Sequence, residues 1–275
     1  MEFSIFIYIM KIQPSLLSVA GFGLAVALIF SCSDKEVIKG DNIANYKIVE
    51  IGSQVWMAEN SNYAVEGSRC YGEGGLVYNA GTRAYDTTLS NTEIQTNCTL
   101  YGRLYDWATA MSLPAKCNSV LSTSDADCTI GNPHQGICPS GWHIPSNADW
   151  DKLFRFVDGA DNINISEASD TSGTSSPYDS PKAGRLLKAT KGWHDDDGES
   201  EGSGAVTYGF AALPGGYGSS AGHFSDAGYS GIWWSSSEYD AYYAYRRYMY
   251  HYYEDAYWDH VNKGYHLLSV RCLKD

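Results

Sequence analysis

From Leu16 to Phe30 the chain is almost continuously apolar. A run of about 15 residues is short for a membrane span, which needs roughly 20, and it matches the apolar region of a signal peptide with Lys11 as its positive flank. Met10 makes a better start than Met1, so residues 2–9 are expected to precede the true signal. Beyond residue 45 the pattern becomes periodic. Tyr46 to Met57 reads as a strand, a Gly52-Ser53 turn and a second strand. Leu104, Trp107, Ala108 and Met111 stand at i, i+3, i+4 and i+7, which predicts a helix over Tyr101 to Met111. Trp150, Leu153, Phe154 and Val157 repeat that spacing, and Ser146 with Asp149 supplies a capping-box start. Pro181 to Thr190 predicts a short third helix. Tyr242 to Tyr253, Ala256 to Asn262 and Tyr265 to Cys272 read as strands, the last with His266, Leu268, Val270 and Cys272 on one face. The segments 70–98, 112–136 and 158–180 are polar and irregular. Few helices among strands and loops predict an α+β fold.

The apolar run ends Ile29-Phe30-Ser31-Cys32, a small residue directly before cysteine. This resembles the processing site of bacterial lipoproteins, where Cys32 is acylated and becomes the mature N-terminus, and several acyl chains hold a membrane stably. Ser33-Asp34-Lys35-Glu36 is similar to the acidic stretch that sends such proteins to the outer cell surface. The expected organisation is a signal peptide over 1–31, a lipidated cysteine and linker over 32–45, and one domain over 46–275. The expected location is the outer membrane, exposed at the cell surface.

Six cysteines remain, and an even number in an exported chain implies disulfides. Fifteen pairings are possible. We expect Cys70–Cys98 and Cys117–Cys128 as local loops, and Cys138–Cys272 joining the start of the main domain to its last strand. No two of the six stand in C-x-x-C spacing, which disfavours zinc.

Charge narrows the partners. With 19 basic residues against 32 acidic, the chain lacks the Lys/Arg surface that phosphate contacts need, so nucleic acid is excluded as a ligand. The 22 tyrosines, 8 tryptophans and 28 glycines favour strands and loops carrying amphipathic rings.

The ordered blocks IGSQVWMAEN, YGRLYDWATAM, CPSGWHIPSNADWDKL, YGFAALPGGY, GIWWSSSEYD and LLSVRCLKD resemble the Fibrobacter succinogenes major paralogous domain over Tyr46 to Asp275. The loop between Cys70 and Cys98 is longer than that pattern, and the Cys117–Cys128 segment looks added; both are expected to be surface elaborations. More distantly, GWHIPSNADW and SVRC are similar to blocks of formylglycine-generating-enzyme-like domains. This resemblance implies a C-type-lectin-like fold: two helices, a small antiparallel sheet and long loops, here stapled by disulfides.

Those enzymes use reactive cysteines, and here all six can be assigned to staples, so no enzyme is expected. No G-x-S-x-G, H-E-x-x-H or P-loop is present. His143, in the turn before the second helix, reads as structural. The loop 195–201 packs Asp195, Asp197, Glu199 and Glu201 close together and offers oxygens for calcium, although a solvated acidic loop is the better reading. No other cofactor is expected. Trp233 and Trp234 read as core. The outward residues of the tyrosine-rich strand, Tyr243, Tyr245, Tyr248, Tyr250 and Tyr252, with Arg246 and Arg247 as donors, are the candidate surface for a glycan or protein ligand. The expected function is a lipid-anchored, non-catalytic binding or adhesion module. The alternatives are a structural envelope protein that assembles with partners and a formylglycine-generating type of enzyme.

Overall fold

The structure, a computed structural model of the chain, describes residues 46–159, 178–194, 204–205 and 207–275. The expected signal peptide, Cys32, the acidic loop 195–201 and most of the loop 158–180 lie outside the described residues.

In chain order the elements are β1 (Ile48–Ile51), β2 (Gln54–Met57), β3 (Leu76–Asn79), β4 (Ala84–Thr87), α1 (Asn91–Tyr101), α2 (Trp107–Ala110), β5 (Trp142–His143), α3 (Asn147–Asp158), β6 (Tyr178–Ser180) and α4 (Ala183–Leu187). The C-terminal third adds β7 (Gly215–Ser219), β8 (His223–Ala227), β9 (Ser230–Glu238), β10 (Tyr243–Tyr250), β11 (Ala256–Asn262), β12 (His266–Leu267) and β13 (Leu273–Lys274). They form three mostly antiparallel sheets, ordered β1-β2-β13-β5, β6-β11-β10-β9 and β12-β7-β8-β3-β4. The fold is α+β, as the periodicities predict.

The opening hairpin turns at Gly52, whose φ of +61° suits glycine, and a Cβ there would lie 2.8 Å from the Phe156 ring. Helix α3 starts where the capping box places it: Ser146 Oγ accepts from Asp149 N–H and Asp149 accepts from Ser146 N–H. It buries Trp150, Leu153, Phe154 and Val157. At its other end Asp158 accepts from Ser180 Oγ and from Lys182 N–H, which ties the helix to β6 and the approach to α4.

The core divides around β9. Successive side chains of a strand point to opposite faces, so Trp233 packs with Trp56, Trp150 and Phe210, while Trp234 packs with Tyr105, Trp107 and Val270. Both tryptophans are fully buried. Their indole N–H groups donate to Asn60 Oδ1 at 2.8 Å and to the Tyr105 carbonyl at 2.8 Å. The disulfides are Cys70–Cys98, Cys117–Cys128 and Cys138–Cys272.

Three expectations are corrected. The helix over Tyr101 to Met111 is interrupted at Gly102, whose φ is +76° and whose Cβ would lie 2.6 Å from the Ser61 carbonyl oxygen. Arg69 bridges Leu104 and Tyr105 bridges Leu268, and only then does Asp106 cap the single turn α2. The apolar spacing is nonetheless honoured, because Leu104, Trp107, Ala108 and Met111 are all buried. The Cys70–Cys98 segment is not a loop: it holds β3, β4 and most of α1. The expected strand over Tyr265 to Cys272 is only the pair His266–Leu267, followed by single bridges and extended chain. Leu268, Val270 and Cys272 are buried together as expected, while His266 is half-buried.

Candidate functional site

The site is built by an irregularity in β9. On β10, Ala244 and Arg246 are two residues apart, but their β9 partners Glu238 and Trp234 are four apart. Ser235, Ser236 and Ser237 therefore stand opposite Tyr245 alone, bulge, and hold neighbouring segments. Ser236 N–H donates to the Pro145 carbonyl at 2.9 Å, and Ser237 Oγ accepts from Asn147 N–H at 3.0 Å. The Ser235 carbonyl accepts from Trp107 Nε1 at 3.1 Å. These bonds place the start of α3 beside the β9–β10 edge. A cleft of about 940 Å³ opens there.

Four segments wall it. The first two turns of α3 supply Asn147, Asp149 and Asp151, β5 supplies His143, the sheet supplies Tyr245, Arg247 and Trp258, and Ser122 with the 130–134 segment completes the wall. Ser122, within the Cys117–Cys128 segment expected as a surface elaboration, therefore lines the cleft. It is held there by Lys263, fully buried over the Trp107 ring at 4.5 Å. Lys263 Nζ donates to Glu238 Oε1 at 2.5 Å and to the carbonyls of Ala241 and Val120 at 3.2 and 3.4 Å. Glu238 Oε2 in turn accepts from Ser122 N–H at 3.0 Å.

The registers decide which tyrosine-strand residues reach the cleft. β10 and β11 pair without a shift, with Tyr245 opposite His260 and Arg247 opposite Trp258 on one face. Arg246 opposite Asp259 and Tyr248 opposite Tyr257 lie on the other face. Of the seven expected ligand residues, Tyr243, Tyr245 and Arg247 share the cleft-side face, and Tyr245 and Arg247 line the cleft. Arg246, Tyr248 and Tyr250 share the opposite face. Tyr252 lies past the strand end and is exposed, stacked with Tyr250 at 6.0 Å.

The two arginines are not free surface donors, which corrects that expectation. Arg246 makes two bonds to the Asp259 carboxylate, at 2.5 and 2.9 Å. Arg247 is only 2% exposed and donates to Asp151 at 2.9 Å and to Asn147 Oδ1 at 3.2 Å. Nothing in a tyrosine-rich run signals such partners, because Asp151 and Asp259 come from other elements.

Burial pushes the Asp151 carboxyl above the usual carboxylate range despite the pull of Arg247. His143 bonds Asp275 through Nδ1 at 2.8 Å and faces Asp149 through Nε2 at 3.5 Å. Burial opposes its charged form, but the two carboxylates outweigh burial and raise its pKa above the ordinary histidine value. Asp149 is lowered in turn: burial opposes this, and the bonds from His143 and Ser146 prevail. A base with a raised folded pKa contributes stability that is complete below its unfolded value of about 6.5 and is lost as pH rises through the folded value. His143→Gln is therefore expected to lower the melting temperature more near pH 6 than near pH 8–9, roughly one side and the other of that window. Equal losses at both would contradict the assignment.

The carboxylates in these walls are engaged within the protein: Asp149 with the His143 imidazole, Asp151 with Arg247, Glu238 with Lys263. Burial keeps His134 low, and its Nε2 bonds the Met111 carbonyl at 2.9 Å. Among the described residues no group of three His, Cys, Asp or Glu side chains is placed to hold a metal ion. Asp195, Asp197, Glu199 and Glu201, the expected calcium ligands, lie outside the described residues.

An α+β domain stapled by three disulfides, with an ion-paired and aromatic-edged cleft at a helix start, is the class that fold and site define. The chain belongs to the Fibrobacter succinogenes major domain family, which it matches over residues 49–274. No curated protein and no solved structure gives a match.

Proposed function

We propose that this chain is a lipid-anchored surface protein whose domain binds glycans in the cleft between α3 and the β10–β11 face, without chemical turnover. The observation that carries the reading is the composition of the cleft. Trp258 and Tyr245 present rings beside the hydrogen-bonding groups of Asn147 and Asp151. A sugar ring has apolar C–H faces and a polar rim, and it needs this pairing of flat apolar area with fixed donors and acceptors. The C-type-lectin-like fold implied by the sequence resemblance fits this use. Cys32, the expected acylation site, provides the anchor.

Two features favour binding over catalysis. All six cysteines of the domain are in disulfides, which leaves a formylglycine-generating type of reaction without a thiol nucleophile. The carboxylates of the cleft are engaged in ion pairs within the protein.

The test is a glycan array probed with the full chain, with calcium and with chelator. Binding is expected in both conditions, and Trp258→Ala is expected to weaken it about tenfold or more. Binding abolished by chelator moves the site to the 195–201 loop. No binding by folded protein removes the glycan reading and makes a protein partner the better proposal.

A further inference from the structure

The rings at the cleft do not stop at its edge. The Tyr245 ring lies 5.7 Å from that of Trp258 and 5.8 Å from that of Tyr239. Tyr239 lies flat on His260, with ring centres 3.8 Å apart and planes 4° apart, and Tyr243 meets His260 edge-on at 5.7 Å. Strand pairing makes this row. Trp258 and His260 are alternate residues of β11, roughly 7 Å apart on one face, and Tyr245 stands opposite His260 on β10. Tyr239 joins from the β9–β10 turn, where its N–H donates to the Tyr243 carbonyl at 2.9 Å. Exposure rises outward: Trp258 and Tyr245 are half-buried, while Tyr243 and Tyr239 are 40% and 45% exposed.

The strip carries no unengaged carboxylate among the residues of its turn. Asp240 accepts from the N–H groups of Tyr242 and Tyr243 at 2.7 and 2.8 Å, and Glu238 is held by Lys263. Cleft and strip together therefore offer ring faces and hydrogen-bonding groups, while their lysine and arginine, Lys263 and Arg247, are both ion-paired.

We infer that the ligand is a linear, uncharged oligosaccharide, seated by one sugar in the cleft and by following sugars along the Tyr245–Tyr239–His260–Tyr243 strip. This rests on the glycan reading of the cleft. An anionic polysaccharide would find Arg247 and Lys263 already paired there, and desolvating those pairs for it is costly. A protein partner is disfavoured by size. A ring buries about 150–250 Å² when fully covered, so five partly exposed rings fall well short of the roughly 800 Å² per partner of a standard interface.

The experiment is isothermal titration of the full chain, kept in detergent, with cello-, xylo-, manno- and malto-oligosaccharides from two to six units, and with oligogalacturonate as the anionic control. At least one neutral series is expected to bind, its affinity rising about tenfold or more from dimer to hexamer as successive rings are covered. Tyr239→Ala with His260→Ala is expected to abolish that rise and leave the dimer's affinity within about twofold. Trp258→Ala weakens every length, and Tyr252→Ala, on a tyrosine outside the strip, changes none. Binding of equal strength at all lengths overturns the strip but leaves the cleft reading in place. So does an equal loss for short and long ligands in the Tyr239/His260 variant. Binding of oligogalacturonate alone overturns the charge argument, and no binding of any series overturns both strip and cleft.

Discussion

Replacing Cys138 and Cys272 together by alanine is expected to cost about 5 kcal/mol of stability, close to twice the loss from removing Cys117–Cys128. The reason is chain entropy. Cys138 and Cys272 are 134 residues apart and Cys117 and Cys128 only 11, and the loop-closure relation gives about 5 and about 3 kcal/mol for the two lengths. The longer link also closes the domain physically, because β13, next to Cys272, pairs with both β2 and β5. Cys272 also offers its carbonyl to Met57 N–H at 3.0 Å. For a domain of this size about 5 kcal/mol corresponds to a fall of roughly 10–20 °C in melting temperature. Thermal melts of the two double variants under non-reducing conditions check the ranking; equal losses would contradict it.

Arg271→Ala is expected to destabilise the domain by about 3–5 kcal/mol, through a cavity and through stranded acceptors. Arg271 is 1% exposed and lies against the Phe210 ring at 4.4 Å. It donates through Nε and Nη2 to Asn60 Oδ1 at 3.0 and 2.7 Å, and through Nη1 to the Phe210 carbonyl at 2.6 Å. Asn60 Oδ1 also accepts from Trp233, and Asn60 Nδ2 donates to the Tyr101 carbonyl at 2.9 Å. One guanidinium therefore joins the segment after β2, the segment before β7 and the buried face of β9. Arg271→Met refills the space without supplying donors, so urea unfolding is expected to show Met recovering only part of the loss. Full recovery by Met would mean that packing alone explains the position.

Much of this was legible in the residues, for identifiable reasons. The β1–β2 hairpin and α3 carry their own local signals, a turn glycine and a capping box, and both form where those signals stand. The segments that escaped have little apolar periodicity. Helix α1 buries only Cys98 and is held by its Ser90–Glu93 cap and the bond to Cys70; that cap was the one readable sign of it. Strand β7 is the glycine-rich run GGYGS, in which alternation has almost nothing to act on. The 101–111 stretch misled because its apolar spacing suits any chain that buries those positions, while Gly102 needs a backbone that a helix does not provide.

The cleft was less legible still. Its aromatic residues stood out by density, but the doubled tyrosines hid the face each one takes, and only pairing with β11 separates Tyr245 from Tyr248. The serines of β9 look like ordinary strand residues, and their bulge follows from the register with β10. Arg246 and Arg247 looked like free donors because Asp259 and Asp151 are distant in sequence.

A crystal structure of the protein with a bound neutral hexasaccharide would locate the ligand directly. We expect one sugar against Trp258 and Tyr245, hydrogen-bonded beside Asn147 and Asp151, and the chain continuing over Tyr239 and His260. A sugar bound elsewhere on the molecule with this cleft empty would contradict the assignment.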